Sequence, residues 1–319
     1  MTQPREGARV RSALRRLSSA ARRRGPRKDA SASPASYDEY LRRESSREAG
    51  FREAGFPAAW ASGTDVPIDS PSRFAAVAHV YYPELWEELL GHLGAIPVDL
   101  DLIVTNASGT PLVIDVGRLP SARHALVLDV ENRGRDLWPL AQLANAGLLD
   151  SYDVVIKVHT KRSPWRGAHG RLAGTGESWR SELLSALLGD AENVAAIVEA
   201  FTESADLGMV TADDSVLGPE FWGDDEAVAA TLLRRLEREP DRDSLAFAAG
   251  SMYWARGAIL RRLRALHLTA ADFEPEQGQV DGTTAHALER VIGLFAREAG
   301  LRVVERSELP AAARGPAAR

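Results

Sequence analysis

The chain has 319 residues, 45% of them hydrophobic and 26% charged, which fits a folded globular body and excludes a chain that is disordered or fibrous throughout. It has no cysteine, so disulfides, thiolate metal sites and cysteine nucleophiles are excluded, and a reducing compartment is expected. The net charge of −6 is uneven: residues 1–28 hold nine Arg and one Lys against the single acid Glu6, a surplus of nine that leaves about −15 on the remainder.

That basic stretch opens a tail expected over residues 1–35, rich in Arg, Ala and Ser and without sustained apolar period. It reads either as a solvated extension or as a contact for an anionic membrane surface. The acidity of the remainder argues against nucleic acid as a partner. No apolar run reaches the roughly 18 to 20 residues of a membrane-spanning helix, and the N-terminus lacks the apolar core of a secretory signal. The expected location is the cytoplasm, peripheral to the inner face of the cell membrane if the tail docks there. Residues 36–70, with YDEYLRRESSREAGF, read as a helical lead-in and linker. The organised domain is expected over 71–306, starting near Phe74, and residues 307–319 read as a second tail.

Within the domain, apolar runs alternate with amphipathic ones. FAAVAHV precedes ELWEELLGHL; DLIVT and ALVLDV follow; LWPLAQLANAGLL leads to DVVIKV, then to WRSELLSALL and AENVAAIVEAF. LGMVT and FAAGSMYW are further strand candidates, and TTAHALERVIGLFAREAG leads through Gly300 to LRVVE. Short β-branched runs separated by helices of about ten to fourteen residues predict an α/β fold, an open, mainly parallel sheet flanked by helices. In such a sheet ligands bind in the crevice beyond the carboxyl ends of the strands.

Four clusters fall where that crevice is expected. In KVHTKRS, a period of two places Lys157, His159 and Lys161 on one side, a cationic edge suited to a diphosphate, or else a solvated basic loop. In ENRGRD, Asp136 is a candidate N-cap with Pro139 in the first turn and Gly134 allowing a tight bend. Arg133 and Arg135 either grip phosphate or pair with Glu131 and Asp136.

The third cluster, residues 272–290, holds Asp272, Glu274, Glu276 and Asp281 before a long helix capped by Thr283 or Thr284. One of these carboxylates is a candidate general base, although Asp281 also suits a plain DG turn. His286 and Glu289 lie three apart on one helix face, and His286 reads equally as a satisfied buried histidine. The fourth comprises His79, Tyr81 and Tyr82 at the end of the first strand, joined by Tyr253 and Trp254 as sugar platforms or core. Walker loops, GxGxxG, HExxH, EF-hand loops and serine elbows do not occur.

Taken in order, HVYYPELWEELL, ENRGRD, YDVVIKVHTKRS, FAAGSMYWAR and FEPEQGQVDGTTAHALERV resemble the rhamnan synthesis protein F family of bacterial cell-surface polysaccharide assembly, over about residues 74–305. The resemblance implies a GT-A-like nucleotide-sugar fold and a glycosyltransferase, of rhamnose above all, with dTDP-L-rhamnose as donor; a lipid-linked glycan as acceptor would suit the Arg-rich tail. Where GT-A enzymes carry Asp-x-Asp, this chain has Lys157-Val-His159-Thr-Lys161, which implies transfer without a divalent metal. By the same comparison Asp281 is the general base of an inverting transfer, with Glu276 as the alternative. Asn132, Arg135 and Asp136 would contact the donor, His79 and Tyr81 would border its base, and Tyr253, Trp254 and His286 would line the sugar or acceptor pocket. A non-catalytic carbohydrate-binding scaffold is the rival reading.

Overall fold

The computed structural model describes residues 73–160, 176–279 and 281–310; the tail expected at 1–35, the lead-in at 36–70, residues 311–319 and Lys161 lie outside them. The first strand, β1, is Phe74–Val80, followed by helix α1 (Trp86–Leu93) and strands β2 (Leu100–Asn106) and β3 (Ala122–Asp129). Then come α2 (Leu137–Asn145), β4 (Val154–His159), α3 (Gly176–Leu188), α4 (Ala191–Glu203) and β5 (Leu207–Thr211). The remaining elements are β6 (Val216–Leu217), α5 (Asp225–Arg234), β7 (Phe247–Ala248), β8 (Tyr253–Arg256), α6 (Gly257–Arg261), α7 (Thr284–Glu298) and β9 (Arg302–Glu305).

Seven strands form one sheet in the order β3-β2-β1-β4-β8-β5-β9. All pairings are parallel except those of β8, which runs antiparallel between β4 and β5. The fold is therefore α/β with a mostly parallel sheet and flanking helices, as the alternating runs predict. Strands buried on both faces need apolar residues at odd and even positions alike, which is why β1 and β4 read as hydrophobic runs interrupted only by His79, Lys157 and His159.

The two faces carry two cores. Val77, Ile103, Val155, Tyr253 and Ala255 pack toward α2, α5 and α7; Ala76, Ala78, Val104, Ile156 and Trp254 pack toward α1, α3 and α4. From β1 the chain builds β2 and β3 on one side, then returns to lay β4 against the other edge of β1. The strand order thus reverses between β1 and β4, the place where open α/β sheets leave a crevice for ligands.

FAAGSMYW is not one strand. Gly250 and Ser251 both have positive φ, 88° and 58°, and this reversal splits it into β7, which pairs with β6, and β8, which enters the main sheet. Ordered backbone also continues past β9 into a 3₁₀ turn, Arg306–Glu308.

Candidate functional site

At the switch point, parallel pairing sets His79 of β1 beside Thr105 of β2 and His159 of β4, so their side chains share one face. Lys157 lies on the same face, two residues before His159, as the period of two predicts. Its surroundings differ from the expected cationic crevice wall. Lys157 is 1% exposed and its ammonium makes an ion pair with Asp136. The same ammonium donates to the carbonyl oxygen and hydroxyl of Ser251, each at 2.8 Å, and lies 5.5 Å from the centre of the Tyr253 ring. The left-handed backbone of Ser251 belongs to the turn that presents both oxygens. A cation removed from water needs this set of partners, and the carboxylate of Asp136 cancels its charge.

The neighbouring histidines are also committed inward. His159, 6% exposed, donates from Nε2 to the Gly250 carbonyl at 3.0 Å, and His79 Nδ1 shares a hydrogen bond with Thr105 Oγ1 at 3.0 Å. Burial, opposed by Asp136 and aided by Lys157, pushes His79 down to about 4, so its ring is neutral at pH 7. Burial acts to raise the Asp136 carboxyl, but Lys157 and His159 outweigh it and hold the group far below the usual carboxylate range. The described part of KVHTKRS is thus a buried, charge-balanced floor. The Tyr253 hydroxyl sits in it, buried and without a hydrogen-bond partner among the described residues.

Asp136 stands at the N-cap position of α2, but its side chain makes no cap hydrogen bond because it is turned to Lys157. The amides of Leu137 and Trp138 donate to the Gly134 carbonyl, both at 3.1 Å, so they do not stand open as an anion cradle. Gly134 itself has φ +58°, and a Cβ there would strike Phe273 and Trp138. Only glycine fits this bend.

Arg135, next to Asp136, turns the other way. Its backbone amide donates to Glu276 Oε1 at 3.1 Å, and its guanidinium donates to the Gln279 carbonyl and to His286 Nε2, the latter at 2.9 Å. Since arginine only donates, Nε2 is the acceptor and the His286 proton sits on Nδ1, which donates to Thr283 Oγ1 at 2.8 Å. Thr283 is the N-cap of α7. Arg133 anchors the same loop through the carbonyls of Ala270 and Phe273. Asp272 and Glu274 are structural: Asp272 pairs with Arg235, and Glu274 accepts from the Thr284 amide.

Asp281 has an unexpected partner. The Gly282 amide lies 2.9 Å from Asp225 Oδ1 and 3.0 Å from Asp281 Oδ1, so two carboxyl groups converge on one donor. Arg290 Nη2 is 2.9 Å from Asp225 Oδ2. Burial, against the pull of Arg290 and with the help of a hydrogen bond to Asp281, pushes Asp225 up to about 9. Burial also acts to raise Asp281, but the bond from Asp225, the Arg290 charge and the Asp224 amide hold it below its ordinary value. The two shifts run in opposite directions, so of the pair Asp225 is the carboxyl that more readily keeps a proton and Asp281 the one that more readily ionises. Asp281 packs on Gly223, which together with Asp224 lines an open groove of about 590 Å³.

The expected residues therefore fall into two groups. His79, Asp136, Lys157, His159 and Tyr253 meet at the switch point; Arg135, Glu276, His286 and Asp281 belong to the loop region ahead of α7. Asn132 and Tyr81 are exposed, Tyr81 at 41%, its amide held by Thr160 Oγ1 at 2.9 Å. Trp254 joins neither group. Neighbouring residues of a strand face opposite sides, so it points away from Tyr253, is fully buried, and donates from its indole to the Leu187 carbonyl. It belongs to the core. Among the described residues no group of three or more His, Asp or Glu side chains is arranged to hold a metal ion, and no helix is long and apolar enough to cross a membrane.

Residues 61–301 match the family described as Rhamnan synthesis protein F. The chain belongs to the rhamnan synthesis protein F family. Two curated relatives, each named "Uncharacterized protein WxcX", come from Xanthomonas campestris pv. campestris strains B100 and ATCC 33913. Each is 40% identical over 240 residues, which cover 74% of this chain and 33% of the relative. The chain thus spans about a third of the length of the relatives it matches. Both clusters lie inside the matched region of a family whose description names rhamnan synthesis.

Proposed function

We propose that this chain is a glycosyltransferase module of polysaccharide assembly that moves a sugar, rhamnose above all, from a nucleoside-diphosphate donor to a growing glycan. The observation that carries the reading is the setting of Asp281: a part-exposed carboxylate held below its ordinary value, fixed by the amides of Asp224 and Gly282, and packed on Gly223, which lines an open groove. That is the form a general base requires. In the proposed step Asp281 accepts the acceptor hydroxyl proton. The hydroxyl oxygen forms its bond to the anomeric carbon from one face while the bond to the diphosphate breaks on the other, the electron pair leaving with the diphosphate. The product has inverted anomeric configuration. Glu276, bound to the Arg135 amide, is the alternative base.

For the donor, exposure favours Tyr81, Asn132 and Arg135 as direct contacts. His79, Asp136, Lys157, His159 and Tyr253 act from behind as a rigid, buried floor. Arg135 and Lys161 would then stabilise the leaving diphosphate, and transfer would need no divalent metal. His286 orients Arg135 on this reading and is not itself in contact with the acceptor. The acceptor is a lipid-linked glycan, and the basic segment at 1–28 brings the chain to an anionic membrane surface.

Isothermal titration with dTDP, UDP and GDP, each with and without EDTA, tests the donor site. Saturable binding of one nucleotide that survives EDTA supports the proposal. Absence of binding under every condition overturns it and favours a non-catalytic carbohydrate-binding scaffold. A product that keeps the donor's anomeric configuration refutes the single displacement.

A further inference from the structure

We infer that Asp225 is a positioning residue for Asp281: the two carboxyls share one proton, and Asp225 holds it so that Asp281 stays ionised and fixed against Gly223. The inference deepens the reading of Asp281 as the base. Its geometric support is the Gly282 amide, bound at 2.9 Å by Asp225 Oδ1 and at 3.0 Å by Asp281 Oδ1. Two carboxylates on one N–H repel, and retaining one proton between them removes the repulsion.

Burial decides which partner holds it. Asp225 is fully buried at the start of α5, whereas Asp281 is part-exposed. A charge is less costly on the oxygen that water reaches. The other charged and titratable groups facing the pair come from α7 and the turn before α5. Arg290 contacts Asp225 directly and favours ionisation; Glu289 opposes it; the Asp224 amide bonds Asp281, and the nearby His286 is neutral in its bond with Arg135. The Arg290 contact pulls toward an ionised Asp225, while complete burial and the neighbouring Asp281 pull the other way and outweigh it. The pair titrates as a unit, and its first proton resides on Asp225.

A carboxyl that donates to Asp281 does two things for a base. It fixes the rotamer of the accepting carboxylate, and it offsets the burial that acts to raise Asp281, at some cost in basicity. When the acceptor proton arrives on Asp281, it leaves through the exposed side of that residue, and Asp225 retains its own.

The test is carbon-13 NMR of the full chain with labelled aspartate side chains, followed by rates against pH for three proteins. We expect one aspartate carboxyl to stay protonated at pH 7 in the wild type and that signal to be absent from Asp225→Asn. No such carboxyl, or its persistence in Asp225→Asn, overturns the inference whatever the activity. In sugar transfer, Asp225→Asn should remain within about tenfold of wild type at pH 7 but lose the alkaline fall of the profile, while Asp281→Asn should lose at least about 100-fold. An alkaline limb unchanged in Asp225→Asn also overturns it. A shared proton seen by NMR together with a fully active Asp281→Asn leaves the pair intact but removes Asp281 as the base.

Discussion

Lys157 and Asp136 form an ion pair in which the lysine side chain is 2% exposed and the aspartate 10%. Partners so deeply buried are stable only together, because each alone would be an uncompensated charge in a poor solvent. Lys157→Met should therefore lower stability by about 3 to 5 kcal/mol, and Asp136→Leu should cost a similar amount. The double variant should be much less destabilised than the sum. Urea unfolding of the four proteins measures the coupling, and additive losses would show that the pair is not the unit described.

The same cluster gives an acid-side signature. The His79 value of about 4 in the folded chain lies below its ordinary 6.5, so between these pH values the unfolded chain binds a proton that the folded chain does not. Stability contributed by neutral His79 is full above 6.5 and is lost as pH falls toward 4, by up to about 3 kcal/mol. Asp225 has the opposite sign: raised from 3.8 to about 9, it contributes stability at low pH that is lost as pH rises. The two slopes oppose each other below 6.5, and of the two only Asp225 acts from there to 9. Thermal melts across pH should find the alkaline decline flattened in Asp225→Asn and the acid decline flattened in His79→Gln.

Two glycines with similar backbone angles should respond very differently to substitution. Gly134 and Gly278 have φ of 58° and 71°, but a Cβ at Gly134 would collide with Phe273 and Trp138, while at Gly278 it would meet nothing within 4 Å. Gly278→Ala should cost about 1 kcal/mol, the strain of a left-handed residue. Gly134→Ala adds overpacking and should cost about 2 to 4 kcal/mol. Equal losses in denaturant titrations would contradict this packing.

The aromatic residues divide in the same way. Trp254→Ala empties a fully buried site and should cost about 3 to 5 kcal/mol. Tyr81→Ala, at a 41% exposed position, should leave stability within about 0.5 kcal/mol and weaken nucleotide binding if that ring borders the donor. Paired unfolding and titration measurements on the two variants check both statements.

The layered sheet was legible because burial on both faces puts apolar residues at both odd and even positions of β1 and β4, a local signal that only His79, Lys157 and His159 interrupt. The common face of Lys157 and His159 was legible too, since a strand alternates. Their burial was not, because it depends on Asp136 and Ser251, which lie 21 and 94 residues from Lys157. Asp225 left even less trace: one acid in a GDDE stretch suits any helix start, and its partner loop is 57 residues away. Trp254 is a different case. Period two already sets it opposite Tyr253, so the expected shared pocket conflicted with strand geometry that the sequence itself displays.

The central claim is that Asp281 is the base of a sugar transfer. Its most direct test is the rate of nucleoside diphosphate release from dTDP-L-rhamnose and other nucleotide sugars, for the wild-type chain and for Asp281→Asn, with polysaccharide extract as acceptor and nucleotide affinity measured in parallel. Release by the wild type is expected, with a loss of at least about 100-fold in Asp281→Asn and nucleotide affinity unchanged within about threefold. Release that is equally fast in both proteins would contradict it.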